Sequence, residues 1–356
     1  MRRWGEVLRA GFPGRGRLRL HAGRRATGAR SENGRMRYVQ LGTTDLDVSV
    51  IALGCGNFGG IGSAPELFGR GEDEAQAFAL LDAAREHGIT LLDTANSYGG
   101  GRCEEWIGRW MADRGAREEM VVTTKVRMRV GPAPGDEGLS ARHIREQVEA
   151  SLRRLRTDRI DLYLAHEQDH GVPIEETLKA FDDAIRAGKV RHCGLSNYPA
   201  SGLAEAAEAA SRLGLAAPAN LQSGYSLLDQ SAATEGIFDA CAAHHVAFTA
   251  YSPLAGGWLS GKYKPSTPYP PGSRMRLRPD PYAGWVNEET FKTIAGLEDA
   301  AALRGVSLPV LALAWALGDP AVSAIIVGPR RPAQLVPALE ALELSLTAAE
   351  REQLTR

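Results

Sequence analysis

The feature that most constrains the fold is an alternation, from Val48 onward, of short β-branched runs with longer amphipathic stretches. Strands that alternate with helices in this way form a parallel sheet. The strand candidates are residues 48–54, 88–93, 120–125, 159–165, 190–196, 219–226, 246–252 and 322–328. The helix candidates are residues 73–87, 104–113, 140–155, 174–187, 203–213, 235–244, 287–304 and 308–317. Eight strands and eight helices predict an α/β fold, the (β/α)₈ TIM barrel, which typically needs about 250 residues.

Three further segments lie outside this alternation. Residues 37–50 predict a β-hairpin before the first strand, which would cover the bottom of the barrel. Residues 255–285 follow the seventh strand, are dense in Gly, Pro and Tyr, and predict a long loop of the kind that is functional or disordered. The tail from Pro332 to Leu354 has helical periodicity, so we expect an extra C-terminal helix that packs outside the barrel.

Charge is unevenly distributed along the chain. Residues 1–35 hold ten arginines and two glutamates, a charge of +8, whereas the remainder holds 32 basic and 41 acidic side chains, a charge of −9. We expect no nucleic-acid partner for this acidic body, because a polyanion needs a basic face. An RNA-binding arm or a targeting segment would also explain the arginines, but the low complexity favours a disordered or dispensable extension before Met36. Residues 36–356 are then expected to form a single domain.

The composition also bears on location. No stretch approaches the roughly 18 apolar residues of a membrane helix, and the N-terminus lacks the apolar run of a secretory signal. Cys55, Cys103, Cys193 and Cys241 are far apart and form no C-x-x-C pair, which favours free thiols in a reducing compartment. We therefore expect a cytoplasmic protein with no membrane partner, of unknown oligomeric state.

Residues 54–59, GCGNFG, match the dinucleotide fingerprint G-x-G-x-x-G and follow a predicted strand. The fingerprint also needs a helix that opens at the third glycine, but the chain continues as Gly60-Ile61-Gly62-Ser63-Ala64-Pro65. We expect instead that these glycines allow a ligand above the barrel mouth to approach the backbone closely.

Residues 166–170, HEQDH, match the zinc motif H-E-x-x-H, whose chemistry requires both histidines on one helical face. The preceding residues read as a buried strand, and Gly171 and Pro173 would break a helix that began at this motif. We therefore expect no metal site here.

Polar side chains stand at the ends of three consecutive predicted strands. Asp93 ends the second strand and is followed by Tyr98, Lys125 ends the third, and His166 follows the fourth. Each alone is more often structural, but the carboxyl ends of barrel strands converge on one mouth, where catalytic residues lie. Together the four predict a catalytic group.

These four residue types suit carbonyl reduction. Hydride addition leaves a developing alkoxide that needs a proton donor, and Tyr98 would need its pKa lowered by about three units, or roughly 4 kcal/mol, to act near pH 7. A Lys125 cation about 4 Å away supplies roughly 4 kcal/mol at an effective dielectric of about 20. Asp93 would keep that lysine charged, and His166 would orient the carbonyl and assist proton transfer.

The sequence resembles the aldo-keto reductase family. The segments that carry the resemblance are LLDTANSYGGGRCEEWIGRW, VVTTKV, LYLAHEQD, GLSNY, LQSGYSLL and AYSPLAGGWLSGKY, in that order between about Tyr38 and Leu342. The nearest likeness is to the bacterial branch that resembles the β subunits of voltage-gated potassium channels.

The resemblance implies a nicotinamide cofactor, NADP(H) or NAD(H), that lies across the barrel mouth. Its carboxamide would be held by Ser196, Asn197 and Gln222, and Tyr251 would stack on the ring. The remaining expected contacts with the cofactor are Gly56 and Asn57 at the first strand, Ser252, Leu254 and Gly256 over the pyrophosphate, and Gly328, Arg330 and Gln334.

The segment after the eighth strand resembles the family motif I-P-G-x-R-x-P-x-Q near the adenosine 2′-phosphate. Arg330 would bind that phosphate, since a guanidinium matches its oxygens. The match departs at Val327, which replaces a proline, and at Ala338, where the family often has an asparagine.

The resemblance thus implies an NADPH-dependent oxidoreductase that reduces an aldehyde, ketone or keto-sugar. The alternative is a cofactor-binding regulatory or sensor subunit with little turnover, although a sensor would not need all four polar groups. The aromatic side chains of Phe58, Trp106, Trp258 and Trp285 are expected to line an apolar substrate pocket, although Trp106 equally fits an ordinary helix-packing role.

Overall fold

The computed structural model describes residues 36–355. Strands β3 to β10 form a closed parallel barrel in chain order, in which β10 pairs with β3. The strands are β1 (Tyr38–Gln40), β2 (Asp47–Ser49), β3 (Ile51–Gly54), β4 (Leu91–Asp93), β5 (Val121–Val126), β6 (Ile160–Ala165), β7 (Val190–Ser196), β8 (Asn220–Gly224), β9 (Ala247–Tyr251) and β10 (Val322–Val327). The predicted TIM barrel is confirmed, while the expectation for the arginine-rich residues 1–35 lies outside the described residues.

The first predicted strand is two strands. Residues of β2 pair antiparallel with β1, and β3 begins at Ile51 as a member of the barrel. The Ser49 hydroxyl donates to the Ile51 carbonyl and accepts from the backbone of Thr90, which fixes the chain where it turns from hairpin to barrel. Leu41 and Leu46 of the hairpin are buried against aliphatic side chains inside the barrel, so the hairpin covers the barrel bottom as predicted.

Helices fill the connections between strands. They are α1 (Glu74–Glu86), α2 (Arg102–Arg114), α3 (Ala141–Leu155), α4 (Ile174–Arg186), α5 (Ala200–Leu213), α6 (Ser231–Thr234), α7 (Ile237–Ala243), α8 (Arg274–Leu277), α9 (Glu288–Leu303), α10 (Leu308–Leu317), α11 (Val336–Ala341) and α12 (Ala348–Gln353). The predicted helix at 235–244 is wrong at its start, because Gly236 has a φ of 77° and separates α6 from α7.

The segment after β9 is ordered rather than a structureless loop. It contains a 3₁₀ turn at Ala255–Ser260, the short helix α8, and a second turn at Asp280–Trp285. Trp258 anchors it, fully buried against Tyr263 and Phe291. The segment therefore forms a fixed wall beside the barrel mouth.

The C-terminal tail differs from the single helix expected. It forms a 3₁₀ turn at Pro332–Leu335 and two separate helices, α11 and α12. Arg351 of α12 holds the tail to the barrel, because its guanidinium bonds the Trp315 carbonyl at 2.9 Å and the Asp319 carboxylate at 2.6 Å.

Within residues 36–355, no single helix has the length and apolar character needed to cross a bilayer. The pair α9 and α10 meets that test only when taken together, with a 90° bend between them, and α10 is buried in the core. The four cysteines are free and buried.

Candidate active site

The strand ends deliver the four polar residues to one place. Asp93 is the last residue of β4, Lys125 lies near the end of β5, and His166 directly follows β6. Side chains alternate along a strand, and the Thr124 hydroxyl points outward to Glu104 of α2, so Lys125 points into the barrel mouth. Tyr98 arrives from the turn after β4.

The four side chains contact one another. The Lys125 Nζ lies 2.7 and 2.8 Å from the two Asp93 oxygens and 2.9 Å from the Thr94 carbonyl. It also lies 5.3 Å from the centre of the Tyr98 ring. The Tyr98 Oη is 3.3 Å from His166 Nε2, a long hydrogen bond of the kind that tightens when substrate binds. The phenol therefore faces an imidazole and an ammonium.

Lys125 is charged despite complete burial. Burial acts to lower its pKa, but the Asp93 carboxylate and Tyr98 act the other way, and the pKa is raised above its ordinary value. The expected support of the lysine by Asp93 agrees with this direction.

Tyr98 corrects our expectation. Desolvation raises its pKa more than Lys125 lowers it, and the nearby Asp93 carboxylate offsets part of the lysine charge. The pKa of the phenol is therefore above its ordinary value rather than near 7. A value near 7 would follow from the lysine charge alone, whereas burial and the Asp93 carboxylate both raise the pKa of the phenol.

His166 is a neutral imidazole. Burial and the positive charges of Lys125 and Arg127 hold its pKa well below the ordinary range. Nδ1 is buried and makes no hydrogen bond within the part of the chain that the structure describes. The ring can hydrogen-bond a carbonyl oxygen through Nε2, but it adds no charge.

The residues expected to hold the carboxamide form a linked group at the ends of β7 to β9. The Asn197 side chain donates to the His166 carbonyl at 2.9 Å and accepts from the Tyr251 hydroxyl at 2.7 Å. Gln222 donates to the Asp93 carboxylate at 2.8 Å. Asn197 has a φ of 58°, a left-handed conformation that is uncommon outside glycine and often marks functional sites. Ser196 is buried beside it.

The turn after β9 has the geometry of an anion site. Ser252, Ala255, Gly256 and Gly257 all have left-handed φ values, from 51° to 95°. Consecutive N–H groups in such turns form concave nests that bind anions. The Lys262 Nζ lies 2.5 Å from the position that a Cβ on Gly257 would take, so this cation stands directly over the turn.

Two cations near this turn are absent from our sequence predictions. Burial, together with the charges of Arg274 and Arg330, lowers the pKa of Lys262, and within residues 36–355 no carboxylate pairs with it. Arg274 donates to the Asn57 amide oxygen at 3.1 Å. Both lie in the long segment after β9, which we predicted only as a loop. The basic residues there were visible in the sequence but had no strand-end position to mark them.

The adenosine end differs from expectation. Arg330 donates through Nε to the buried Glu72 at 2.5 Å and through Nη1 to the Gly272 carbonyl at 2.6 Å. Its backbone N–H donates to the Gln334 amide oxygen at 2.7 Å. The guanidinium that we expected to receive a 2′-phosphate is therefore engaged with a carboxylate. Neighbouring Arg331 lines the same cleft without a carboxylate partner among residues 36–355.

A cleft of about 1180 Å³ lies at the barrel mouth beside these groups. All twelve residues expected to contact the cofactor lie on its wall, together with Asp93, Tyr98 and His166. The expected aromatic pocket is wrong, because Phe58 and Trp258 are buried in the core and neither Trp106 nor Trp285 lines the cleft. Met128 and Tyr282 line it instead. Its volume, its nest of N–H groups and its cations fit a dinucleotide.

The GCGNFG motif at residues 54–59 and the HEQDH motif at residues 166–170 have the local structure predicted. After Gly54–Gly59 the chain forms a 3₁₀ turn at Pro65–Leu67, and no α-helix begins before Glu74. His166 and His170 lie at a strand end and in the turn beyond it, so they share no helical face. Across residues 36–355, no group of three His, Cys, Asp or Glu side chains is arranged to hold a metal.

Comparison with known proteins agrees with this architecture. A sequence model of the Aldo/keto reductase family matches residues 50–356. An uncharacterized oxidoreductase of Bacillus subtilis, YrpG, is 37% identical over 320 residues, which cover 87% of this chain and 92% of the relative. A probable voltage-gated potassium channel subunit beta of Arabidopsis thaliana is 33% identical, with the same two coverages.

A further relative carries a named activity. The L-glyceraldehyde 3-phosphate reductase of Escherichia coli is 30% identical over 328 residues, which cover 90% of this chain and 91% of that enzyme. The family and the oxidoreductases among these relatives support an oxidoreductase. On the family match and these identities, the chain belongs to the aldo/keto reductase family.

Proposed function

We propose that the protein is an NADPH-dependent reductase that converts the carbonyl of an aldehyde, ketone or keto-sugar to an alcohol. One observation carries this proposal. The contacting group of Asp93, Tyr98, Lys125 and His166 stands beside a single cleft whose wall includes every residue expected to bind the cofactor. The reductase named among the relatives supports the same reaction class.

The chain's own residues would position and protonate the substrate. The bound dinucleotide would supply the hydride. Tyr98 Oη and His166 Nε2, 3.3 Å apart, would hold the carbonyl oxygen between them. Because its pKa is raised, Tyr98 keeps its proton at neutral pH and can give it to the oxygen as negative charge develops. Lys125, held charged by Asp93, would then stabilise the phenolate left behind.

NADPH rather than NADH is favoured by the cations at the adenosine end. The 2′-phosphate would draw Arg330 away from Glu72, or would bind beside it at Arg331. Burial raises the pKa of Glu72, so this carboxyl can take up a proton when the arginine leaves. The proposal also places the protein in the cytoplasm, where its four thiols would stay reduced.

A regulatory or sensor subunit with little turnover is the second candidate. It is favoured by the similarity to the Arabidopsis protein named as a channel subunit. Both functions would use the same cofactor cleft, so cofactor binding alone does not separate them.

Tyr98→Phe tests the proposal. We expect reduction of a carbonyl panel to fall by about 10²-fold or more, since the proton donor is lost, while the NADPH Kd changes little. NADPH oxidation at 340 nm and fluorescence titration of NADPH measure the two effects. A wild-type protein that binds NADPH and reduces no member of the panel would instead favour the sensor.

A further inference from the structure

One basic residue on the wall of the cleft lies away from the positions expected to meet the cofactor's phosphates. Two carboxylates line it, and both are already bonded, Asp93 to Lys125 and Glu72 to Arg330. The basic residues on the same wall are Lys262, Arg274, Arg278, Arg330 and Arg331. Lys262 stands over the anion-binding turn, and Arg274 stands beside Asn57. Arg330 and Arg331 stand at the adenosine end. Arg278 belongs to neither group.

Arg278 lies on the side of the cleft next to the reacting groups. It follows α8, one helical turn beyond Arg274, and its backbone N–H donates to the Arg274 carbonyl at 2.8 Å. Its Nη1 lies 2.9 Å from the position that a Cβ on Gly62 would take. The tip of the guanidinium therefore lies directly against Gly62, whose left-handed φ of 63° is a conformation that favours glycine.

Gly62 connects this guanidinium to the turn that carries the proton donor. Its carbonyl accepts from the Gly99 N–H at 3.0 Å, and its own N–H donates to the Gly56 carbonyl at 2.7 Å. Gly99 follows Tyr98 in the chain, and a Cβ on Gly56 would lie 3.3 Å from the Tyr98 ring. Arg278 is thus separated from Tyr98 by Gly62 and the backbone of Gly56 and Gly99, which Gly62 hydrogen-bonds.

Arg278 is half-buried, and its guanidinium has no acidic partner in the described chain. No ion pair or side-chain hydrogen bond engages it among residues 36–355. By contrast, the neighbouring Arg330 is satisfied by a carboxylate and a carbonyl. A partly desolvated guanidinium without an anion is a binding group for one, because a charge-assisted bond is stronger there than in water.

We propose that Arg278 binds an anionic group carried by the carbonyl substrate. The substrate class is then a short aldehyde or ketone with a phosphate or a carboxylate a few bonds from the carbonyl. The proposal rests on the proposed reductase function, since it assigns a specificity residue to that same site. The anion would pair with the guanidinium while Tyr98 and His166 hold the carbonyl oxygen.

Matched substrates test this proposal with the full-length protein. Glycolaldehyde is compared with glycolaldehyde phosphate, and butyraldehyde with succinic semialdehyde, so each pair differs mainly by one anion. In Arg278→Gln we expect kcat/KM for an anionic member to fall by about tenfold or more, chiefly through KM, while the neutral members change less than about twofold. The pair that shows the loss identifies the anion as phosphate or carboxylate.

Two further variants serve as controls for charge and for folding. Arg276→Gln removes an exposed arginine of α8 that does not line the cleft, and it should leave all four substrates unchanged. Arg278→Lys keeps the charge and should restore part of the lost kcat/KM, and the NADPH Kd should be the same in all variants.

The outcomes separate the two proposals. Equal losses for neutral and anionic members in Arg278→Gln, or no loss for either, would overturn the role of Arg278 while leaving the reductase intact. A higher NADPH Kd in Arg278→Gln would also overturn this role, because it would show that the arginine binds the cofactor. Failure of the wild-type protein to reduce any of the four aldehydes would count against the reductase itself.

Discussion

The two ends of the cleft are built differently. At the catalytic end, strand-borne side chains are already paired, as Lys125 is with Asp93 and Gln222 is with the same carboxylate. At the opposite end, loop-borne cations such as Lys262 and Arg331 have no carboxylate among residues 36–355, and Arg330 is bonded to Glu72. The strands thus carry side chains that are paired before any ligand binds, whereas the loops carry cations that are free to pair with one.

Disrupting the Lys125–Asp93 pair should have the largest effect on activity and stability. Lys125→Met removes the cation beside Tyr98, and we expect kcat to fall by about 10²- to 10⁴-fold. It also leaves the buried Asp93 carboxylate unpaired, which should lower the free energy of unfolding by about 3–5 kcal/mol. Stopped-flow NADPH oxidation and urea unfolding measure the two losses.

Two further variants separate catalysis from folding in that experiment. Adding Asp93→Asn to Lys125→Met should restore much of the stability and none of the activity. Lys179→Met, at an exposed position of α4, is the matched control and should change neither quantity. Near-normal turnover in Lys125→Met would contradict the role given to the ammonium.

The loop-borne end should respond more weakly and only through the cofactor. Arg330→Ala is expected to raise the Kd of NADPH by about tenfold and that of NADH by less than about twofold, because only NADPH carries the 2′-phosphate. Fluorescence titration measures both Kd values. Since this change leaves Glu72 buried without its partner, the measurement is repeated in Glu72→Gln combined with Arg330→Ala. An equal loss of affinity for both cofactors would show that Arg330 does not recognise the 2′-phosphate.

The neutral His166 predicts a pH dependence of stability. Its folded pKa is depressed below the unfolded value near 6.5, so its contribution is complete above pH 6.5 and is lost as pH falls. We expect the free energy of unfolding to decline below pH 6.5 by up to about 1.4 kcal/mol per pH unit for this group. His166→Asn should flatten the decline, and His143, whose pKa is also lowered by burial, should account for part of the remainder.

Removal of the arginine-rich extension should have the smallest effect. A chain that begins at Met36 keeps the buried Met36 side chain in the core, and we expect its kcat/KM to stay within about twofold of the full chain. A collapse of activity in this shortened protein would show that residues 1–35 contribute to the fold or to the site.

The sequence predicted the catalytic end better than the rest. Asp93, Lys125 and His166 were found because each stands at the end of a strand, and strand ends of a barrel share one mouth. The turn after β4 then brings Tyr98 to 3.3 Å from His166. The helix candidate at residues 140–155 agrees with α3, whose start is fixed locally because the Ser140 side chain accepts from the His143 N–H.

The loops were predicted poorly, because their structure depends on distant packing. The residues next to Trp258 in the sequence do not show whether its side chain lines a pocket or packs in the core. Its burial depends on contacts with Tyr263 and Phe291. Likewise, Arg330 was recognised from its motif, but its partner Glu72 lies 258 positions away in the chain.

The sequence by itself determined the barrel, through its hydrophobic alternation, and the convergence of four polar side chains, through their positions at or just after strand ends. Tertiary structure alone decided their electrostatic states. The pKa of Tyr98 is raised and that of His166 is lowered because desolvation and neighbouring charges act through space. It also decided which cations are left without a partner, as Arg278 is among residues 36–355, since pairing depends on residues that only folding brings together.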